Sequence, residues 1–390
     1  MLSHYRRVFS HPGAAAMSGT GIIARFPMSM MTLGIVILVS SVSGSYAAAG
    51  AVSAAYVIGN AVVAIPHGRL ADRFGQRVVL LIDSLVFAVA TGLLIGSVIH
   101  DWAAHWPYVW AALAGVSLPQ IGALVRARWS AMLQEKREGN QLHTAFAIES
   151  IGDEVVFVSG PTLVTLLSTT FDPTTGLWVA LALGTIGTLA LAAQRSTEPP
   201  AHRSTSASGR GVMPWRRLLL ITAAAAAVGS VFGAMEVATV AYAEDAGHPS
   251  WAGYVLTMLA LGSLIAGVLA GAHTFKASYI VRARWGVLAL VLPFTLIPFT
   301  SSLWLLGGLM FLAGLAVAPT IIAVMSFVEH VAPAARLTEA MGLVQTGLAA
   351  GIAPGTWTAG LLADAHGGPA AFWACVVSGV IAIGCALSTR

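Results

Sequence analysis

The sequence is a succession of long apolar runs separated by short polar segments, and this pattern decides the fold class. Twelve runs can be placed, each about 20 residues long, which is the length that an α-helix needs to cross a bilayer. Only 9% of the 390 residues are charged, whereas about a quarter would be charged in a soluble protein. The runs are continuous and do not alternate, which favours helices over a β-barrel. They lie near 15–41, 47–67, 78–99, 105–126, 142–168, 173–194, 215–243, 250–273, 283–300, 303–327, 337–362 and 369–388.

Lysine and arginine are distributed unevenly between the two sides of this arrangement. If each run crosses the membrane once, every Lys and Arg except Arg25 falls on the side that holds both termini. Cytoplasmic segments of membrane proteins carry such an excess of positive charge. We therefore predict a multi-pass protein of the plasma membrane with both termini in the cytoplasm.

A basic segment, Gly68–Arg77, joins the second run to the third. We expect a tight turn at one membrane surface, where Gly68 and Gly75 let two helix ends approach and Asp72 accepts N–H bonds at the start of the next helix. Three arginines would remain in water or among lipid headgroups: Arg69, Arg73 and Arg77.

This segment resembles the G-x-L-A-D-R-x-G-R-R loop between the second and third helices of major facilitator superfamily transporters, with Gln76 in place of a basic residue. The resemblance implies that Gly68, Asp72, Arg73 and Gly75 help to stabilise one of two access states. The alternative is an ordinary charged turn on the cytoplasmic side.

The longest polar segment, residues 195–214, contains Pro199 and Pro200 and a Ser/Thr/Gly run, the composition of a flexible linker. It divides the chain into residues 1–194 and 215–390. We predict an all-α membrane protein with 12 transmembrane helices, arranged as two pseudo-symmetric bundles of six.

Recurring glycines support two related halves, because matching landmarks appear in the same order in each. Ala114-Gly115 in the fourth run is echoed by Ala313-Gly314 in the tenth. Two further sets match: Gly50, Gly59 and Gly68 with Gly253, Gly262 and Gly271, and Gly152 and Gly160 with Gly347 and Gly355.

Five ionisable residues lie inside the predicted helices: Arg25, Glu149, Asp153, Glu154 and Glu236. Such groups are costly in lipid, so they face protein or a wet cavity and have partners. Glu149 and Asp153 are one helical turn apart at the depth of Arg25, and in the family that the chain resembles their helices are neighbours. We expect Arg25 to pair with one of them, either as a proton-coupling pair or as a permanent structural ion pair, and Glu236 to face the central cavity or to reach outward.

Prolines mark three positions where a helix could bend, at Pro119, Pro161 and Pro319. Gly160-Pro161 resembles the Gly-Pro signature of drug–proton antiporters in this superfamily. The fourth run, however, lacks the central arginine that many proton-coupled exporters carry there, and holds Ser117, Pro119 and Gln120 instead.

These observations predict a monomeric transporter that exports a small organic solute or drug by proton antiport, rocking between two access states. Proton-coupled uptake or facilitated diffusion of a nutrient remains an alternative, as does a non-transporting sensor or scaffold of the same fold. No phosphate-binding loop and no metal-ligand spacing are present in the sequence, so we expect no enzyme activity, no metal and no cofactor, and the partners are the solute, protons and the bilayer.

Overall fold

The structure is a computed structural model that describes residues 8–135, 142–199, 213–272, 277–332 and 337–388. Those residues form α-helices, a few single-turn helices and short connections, without strands. The helices are α1 (Ala14–Ser43), α2 (Tyr46–Phe74), α3 (Gln76–Ile99), α4 (Trp106–Val116), α5 (Ile121–Glu135), α6 (Leu142–Thr170), α7 (Thr175–Ala193), α8 (Trp215–Asp245), α9 (Trp251–Ala272), α10 (Tyr279–Val291), α11 (Leu303–Val331), α12 (Leu337–His366) and α13 (Gly368–Ser388).

Every predicted span corresponds to a helical segment, with α4 and α5 together forming the fourth. Within the described residues, 11 stretches are long and apolar enough to cross a membrane. The predicted span that is not among them is α12, although it has 30 residues. Its glycines pack onto the backbone of α8, at Gly347, Gly351 and Gly355, so protein covers much of a helix that need not be apolar on all sides.

The predicted turn at Gly68–Arg77 is wrong in its extent. α2 continues through Gly68 and ends at Phe74, and α3 begins at Gln76, so Gly75 alone connects them. Gly75 has φ 88°, a conformation that favours glycine. A Cβ atom on Gly68 would meet no atom of the described residues within 4 Å, so that part of the chain shows no close approach at Gly68.

The glycine echoes occupy equivalent contacts in the two halves. In the first half α2 packs on α4, where a Cβ on Gly59 would lie 2.2 Å from the carbonyl oxygen of Ala112. In the second half α9 packs on α11, where a Cβ on Gly262 would lie 2.3 Å from the carbonyl oxygen of Phe311. Only glycine permits backbones to come this close.

A second pair of echoes behaves in the same way. Gly160 of α6 packs against α1, where its Cβ would lie 2.0 Å from Ser29 Oγ. Gly355 of α12 packs against α8, where its Cβ would lie 2.1 Å from the carbonyl oxygen of Ser230. The two halves therefore repeat the same helix pairings.

The three prolines have different effects. Pro119 lies in a non-helical break, residues 117–120, between α4 and α5, so the fourth span is interrupted there. α6 and α11 remain continuous helices through Pro161 and Pro319. Of these three prolines, Pro119 is the one at a helix break. Proline favours such a break because it has no N–H to donate and its ring collides with the preceding turn of a helix.

Candidate functional site

The two sets of six helices contact each other at one end of the molecule. We call this the far end; the start of α1 and the end of α13 lie at the other, terminal end. α2 packs on α12, where Thr356 Oγ1 donates a hydrogen bond of 3.1 Å to the carbonyl oxygen of Gly50. α6 packs on α9, where Thr257 Oγ1 donates one of 3.0 Å to the carbonyl oxygen of Val158 and also bonds the hydroxyl of Thr162. Small residues close the seam at the far end.

A carboxylate from the second half also caps a helix of the first half at the far end. Asp364, near the end of α12, accepts hydrogen bonds from the backbone N–H groups of Tyr46 at 2.6 Å and Ala47 at 2.9 Å, and from Ser45 Oγ at 2.7 Å. The Tyr46 hydroxyl bonds Glu244 of α8. The start of α2 is thus held by acids of the other half, and no basic side chain takes part in these bonds.

At the terminal end the halves have separate hydrophobic cores. One cluster of buried residues, which includes Met17, Leu80 and Trp129, lies wholly in the first half. Another, which includes Leu218, Val328 and Val344, lies wholly in the second. The cluster that joins residues of both halves contains the helices of the far-end seam. Among the described residues, the core that joins the two halves is therefore at the far end, and the cores at the terminal end lie within single halves.

Arg25 and Glu149 form a buried ion pair in the first half. Arg25 Nη2 lies 2.6 Å from Glu149 Oε2, and their side chains are 2% and 0% exposed. Glu149 Oε1 also accepts hydrogen bonds from Ser18 Oγ at 2.8 Å and Trp129 Nε1 at 2.9 Å. Because these donors satisfy both carboxylate oxygens, Glu149 is held in place by α1, α5 and α6 together.

Asp153 occupies a different environment one turn further along α6. Its Oδ1 lies 3.2 Å from Arg25 Nη1 and its Oδ2 lies 2.8 Å from Arg126 Nη2. The side chains of Asp153 and Arg126 are 24% and 30% exposed. Glu154 is half-buried and has no ion pair or hydrogen bond from its side chain among the described residues. The accessible part of the cluster is therefore Asp153 with Arg126, next to an unpaired Glu154.

Glu236 lies on α8, in the second half. The Thr32 hydroxyl of α1 lies near its carboxylate, so the side chain faces the first half across the seam. Its Oε2 atom is buried and has no hydrogen-bond partner among the described residues. The structure thus places Glu236 against the first half, not pointing outward at the surface.

The remaining residues of the basic segment differ in what the structure describes. The side chains of Arg69 and Asp72 lie outside the described part of the chain, so the capping role of Asp72 stays a prediction. Arg73 is exposed and its guanidinium lies 5.1 Å from the centre of the Phe74 ring. The N–H of Arg77 donates a hydrogen bond of 2.8 Å to Glu198 Oε1, so Glu198 caps the start of α3.

A buried arginine, Arg128, binds both Gln76 and the residue that precedes Glu198. Arg128 Nε donates to Gln76 Oε1 at 2.8 Å, and Arg128 Nη1 donates to Thr197 Oγ1 at 2.9 Å and to the carbonyl oxygen of Leu191 at 3.1 Å. Residues 195–198 therefore pack onto the first half, and the prediction of a flexible linker from residue 195 is wrong for this stretch.

Sequence reasoning missed several members of the site. It placed Arg126 in a surface segment and treated Arg25 as the sole cation for three acids, whereas Arg126 supplies a second. It also overlooked Asp83, whose Oδ1 lies 3.5 Å from His67 Nε2 in a buried pair between α2 and α3. The sequence did hold one signal for Arg126. Arg126 lies three residues before Trp129, so both side chains project from one face of a helix, and both bind acids of α6.

Solved structures share this architecture over nearly the whole chain, each covering 96% of it. The POT family transporter PepTSo matches with a TM-score of 0.76 at 13% identity, over 96% of its own chain. The nucleoside transporter NupG matches with 0.75 at 13%, over 97% of its chain. A bacterial homolog to the human lysosomal transporter Spinster, in an inward-facing and occupied conformation, matches with 0.66 at 15%, over 93%. Identities this low show a shared fold alone.

Paired bundles of membrane-spanning helices that close at one end and separate at the other define the class of multi-pass membrane transporters. The sequence model of the Major Facilitator Superfamily matches residues 17–297, and the chain belongs to that family. It is a transporter of small molecules and not an enzyme, and the predicted family and fold class are confirmed. No curated protein matches the chain in sequence.

Proposed function

We propose that the protein exports a small organic solute in exchange for protons, working as a monomer that alternates between two access states. The observation that supports proton coupling best is the position of Asp153. This carboxylate lies between Arg25 and Arg126 and retains 24% exposure of its side chain. A proton carrier needs both features, since it must reach water and its ionisation must depend on its neighbours.

The helix break gives Asp153 a means to lose one neighbour. Arg126 lies on α5, which is separated from α4 by the non-helical residues 117–120, whereas Arg25 is fixed by Glu149. A movement of α5 relative to α6 would withdraw Arg126 and leave Asp153 with one arginine that is already paired. A carboxylate that loses a cationic neighbour takes up a proton more readily. Glu149, which is fully bonded and has no access to water, acts as a support in this scheme.

The proposal also specifies the orientation of the protein in the membrane and the two units that move. The excess of Lys and Arg at the terminal end favours a cytoplasmic location of both termini in the plasma membrane. The open, terminal end would then face the cytoplasm, as a solute exporter requires when it loads. We assign residues 1–194 and 215–390 to the two moving units, with 195–214 as the connection; residues 200–212 lie outside the described part of the chain.

A flux assay in proteoliposomes with an imposed pH gradient tests this function. For the wild-type protein we expect solute movement against its own gradient that follows the proton gradient in the opposite direction. Asp153→Asn should abolish the gradient-driven flux but retain solute exchange without a gradient, because the amide cannot take up and release a proton. Asp101→Asn, an exposed residue in a far-end turn, is the matched control and should behave as wild type.

The outcomes separate the alternatives. Gradient-driven flux that Asp153→Asn leaves unchanged would remove this residue from the coupling scheme. Co-movement of solute and protons would indicate proton-coupled uptake, and flux without any proton dependence would indicate facilitated diffusion. A protein that binds solute but moves none would be a sensor or scaffold, and the proposal would be wrong.

A further inference from the structure

Glu236 has no resident partner that would balance its charge. Its carboxylate lies near Thr32 of the first half, and its Oε2 atom is buried and has no hydrogen-bond partner among the described residues. A carboxylate oxygen that is sheltered from water and has no hydrogen-bond donor costs free energy. A residue with this cost, located where the two halves meet, points to a role in binding.

Among the described residues, no Lys or Arg is paired with Glu236. The sequence contains no Lys or Arg between Arg217 and Lys276, a stretch that includes all of α8 after its first turn and all of α9. In the first half, Arg25 contacts Glu149 and Asp153, and Arg126 contacts Asp153. Both arginines are therefore engaged with other acids.

Acids outnumber bases among the five ionisable residues predicted inside the helices when Arg126 is added to them. Two arginines face four carboxylates in the set Arg25, Arg126, Glu149, Asp153, Glu154 and Glu236. If all are ionised, the set carries a net charge of 2 − 4 = −2. A region of low dielectric with excess negative charge attracts cations and repels anions.

An aromatic residue lies one helical turn from Glu236. Phe232 precedes Glu236 by one helical turn, so both project from the same face of α8. The Phe232 side chain is partly buried against the core that joins the two halves. A carboxylate beside an aromatic ring can bind an ammonium group by charge and by the cation–π interaction, while the ring contacts the apolar part of the same molecule.

We propose that Glu236, with Phe232 on the same helix and Thr32 on the opposite half, is the anchoring site for an organic cation, either an amine or a quaternary ammonium with an apolar body. The inference rests on the proposed transport function, since it names the class of solute. Glu236 and Thr32 lie near each other across the seam, so a cation bound between them contacts the open and closed arrangements differently. Such a difference is what lets a ligand shift the balance between two conformations.

Binding is measured first, because it does not depend on flux. The full-length protein in detergent is titrated with benzyltrimethylammonium, a permanent cation, and with neopentylbenzene, its neutral isostere. We expect the cation to bind and the isostere to bind at least about tenfold more weakly. Glu236→Gln should weaken cation binding roughly tenfold or more without changing binding of the isostere.

Two further variants make the result specific. Glu236→Asp retains the charge at a shorter reach and should recover part of the affinity. Asp101→Asn removes an exposed carboxylate at the same end and should bind the cation as wild type does. Thermal unfolding of each variant checks that the protein is folded.

The same variants are then compared in proteoliposomes. Cation flux that Glu236→Gln abolishes, while Asp153→Asn still binds the cation, supports separate sites for solute and proton. Equal affinity for the cation in wild type and Glu236→Gln would overturn the inference and leave the proposed transport function standing. Specific cation binding at Glu236 without any flux would instead overturn the transport function and retain the site.

Discussion

The bonds that Asp364 makes across the far end allow a sharp test of the closed state. Asp364 lies on α12 and accepts from Ser45, Tyr46 and Ala47 at the start of α2. In the variant Asp364→Asn one oxygen remains as a hydrogen-bond acceptor. The NH2 group that replaces the other oxygen faces hydrogen-bond donors and cannot accept from them. We therefore expect the far end to open more often, because the variant loses the bonds made by one carboxylate oxygen.

The size of the effect follows from the number and kind of bonds lost. Asp364 Oδ2 accepts two hydrogen bonds and Oδ1 accepts one. Hydrogen bonds to charged groups contribute about 1.5–3 kcal/mol when shielded, and less on an exposed residue such as Asp364. A net loss of about 1–2 kcal/mol shifts the ratio of the two states by roughly 5–30-fold toward the arrangement open at the far end.

The shift can be measured as a distance distribution between spin labels at Asp172→Cys and Ser301→Cys, one on each half at the far end, after Cys375 and Cys385 are replaced by alanine. Wild type should give mainly the short distance, and Asp364→Asn should give a larger long-distance population.

The control for this experiment is Asp245→Asn. Asp245 Oδ2 accepts a hydrogen bond of 2.6 Å from the N–H of Gly368, which is the same chemistry at the same end but within the second half. It should leave the distance distribution unchanged. Equal distributions for wild type and Asp364→Asn, or an equal shift in both variants, would refute the reasoning.

Two predictions concern stability, measured by thermal unfolding in detergent. Gly59→Ala should destabilise the protein by about 1–3 kcal/mol, because its Cβ would lie 2.2 Å from the carbonyl oxygen of Ala112. The control is Gly68→Ala, whose Cβ would meet no atom of the described residues within 4 Å, so this variant should be neutral or slightly stabilising. Unchanged stability of Gly59→Ala would contradict the close helix packing. Glu149→Gln should lower the free energy of unfolding by about 2–3 kcal/mol, because Asp153 is then the remaining ion-pair partner of the buried Arg25. An unaltered melting temperature would show that the Arg25–Glu149 pair is not needed for folding.

The sequence could predict the helices and their number because hydropathy and length are local properties. It could also predict the contact between Arg25 and the acids of α6, because two charged groups at equal depth in lipid must find each other. The internal repeat was readable for a similar reason, since Gly59 and Gly262 mark the same close backbone contact in each half.

The position of Arg126 could not be predicted from the same reasoning. The break at residues 117–120 shifts the depth of everything on α5, and an arginine near the end of an apolar run reads as a surface residue. The extent of α2 was missed because glycine, proline and charge near the end of a run indicate a turn, whereas α2 stays helical through Pro66 and Gly68. For Arg126, tertiary contacts, which a single sequence does not display, decided the outcome.

The far-end seam is built so that it can part without dismantling either half. Where α2 meets α12 and α6 meets α9, the contacts use Gly50, Gly253 and threonine hydroxyls, with backbone close to backbone and few large side chains interlocked. Separation there leaves no deep cavities, since little side-chain volume is withdrawn. The terminal-end cores lie within single halves and stay intact. Opening the far end therefore costs mainly the seam and the Asp364 bonds, and in the proposed scheme a bound solute and a proton on Asp153 offset that cost.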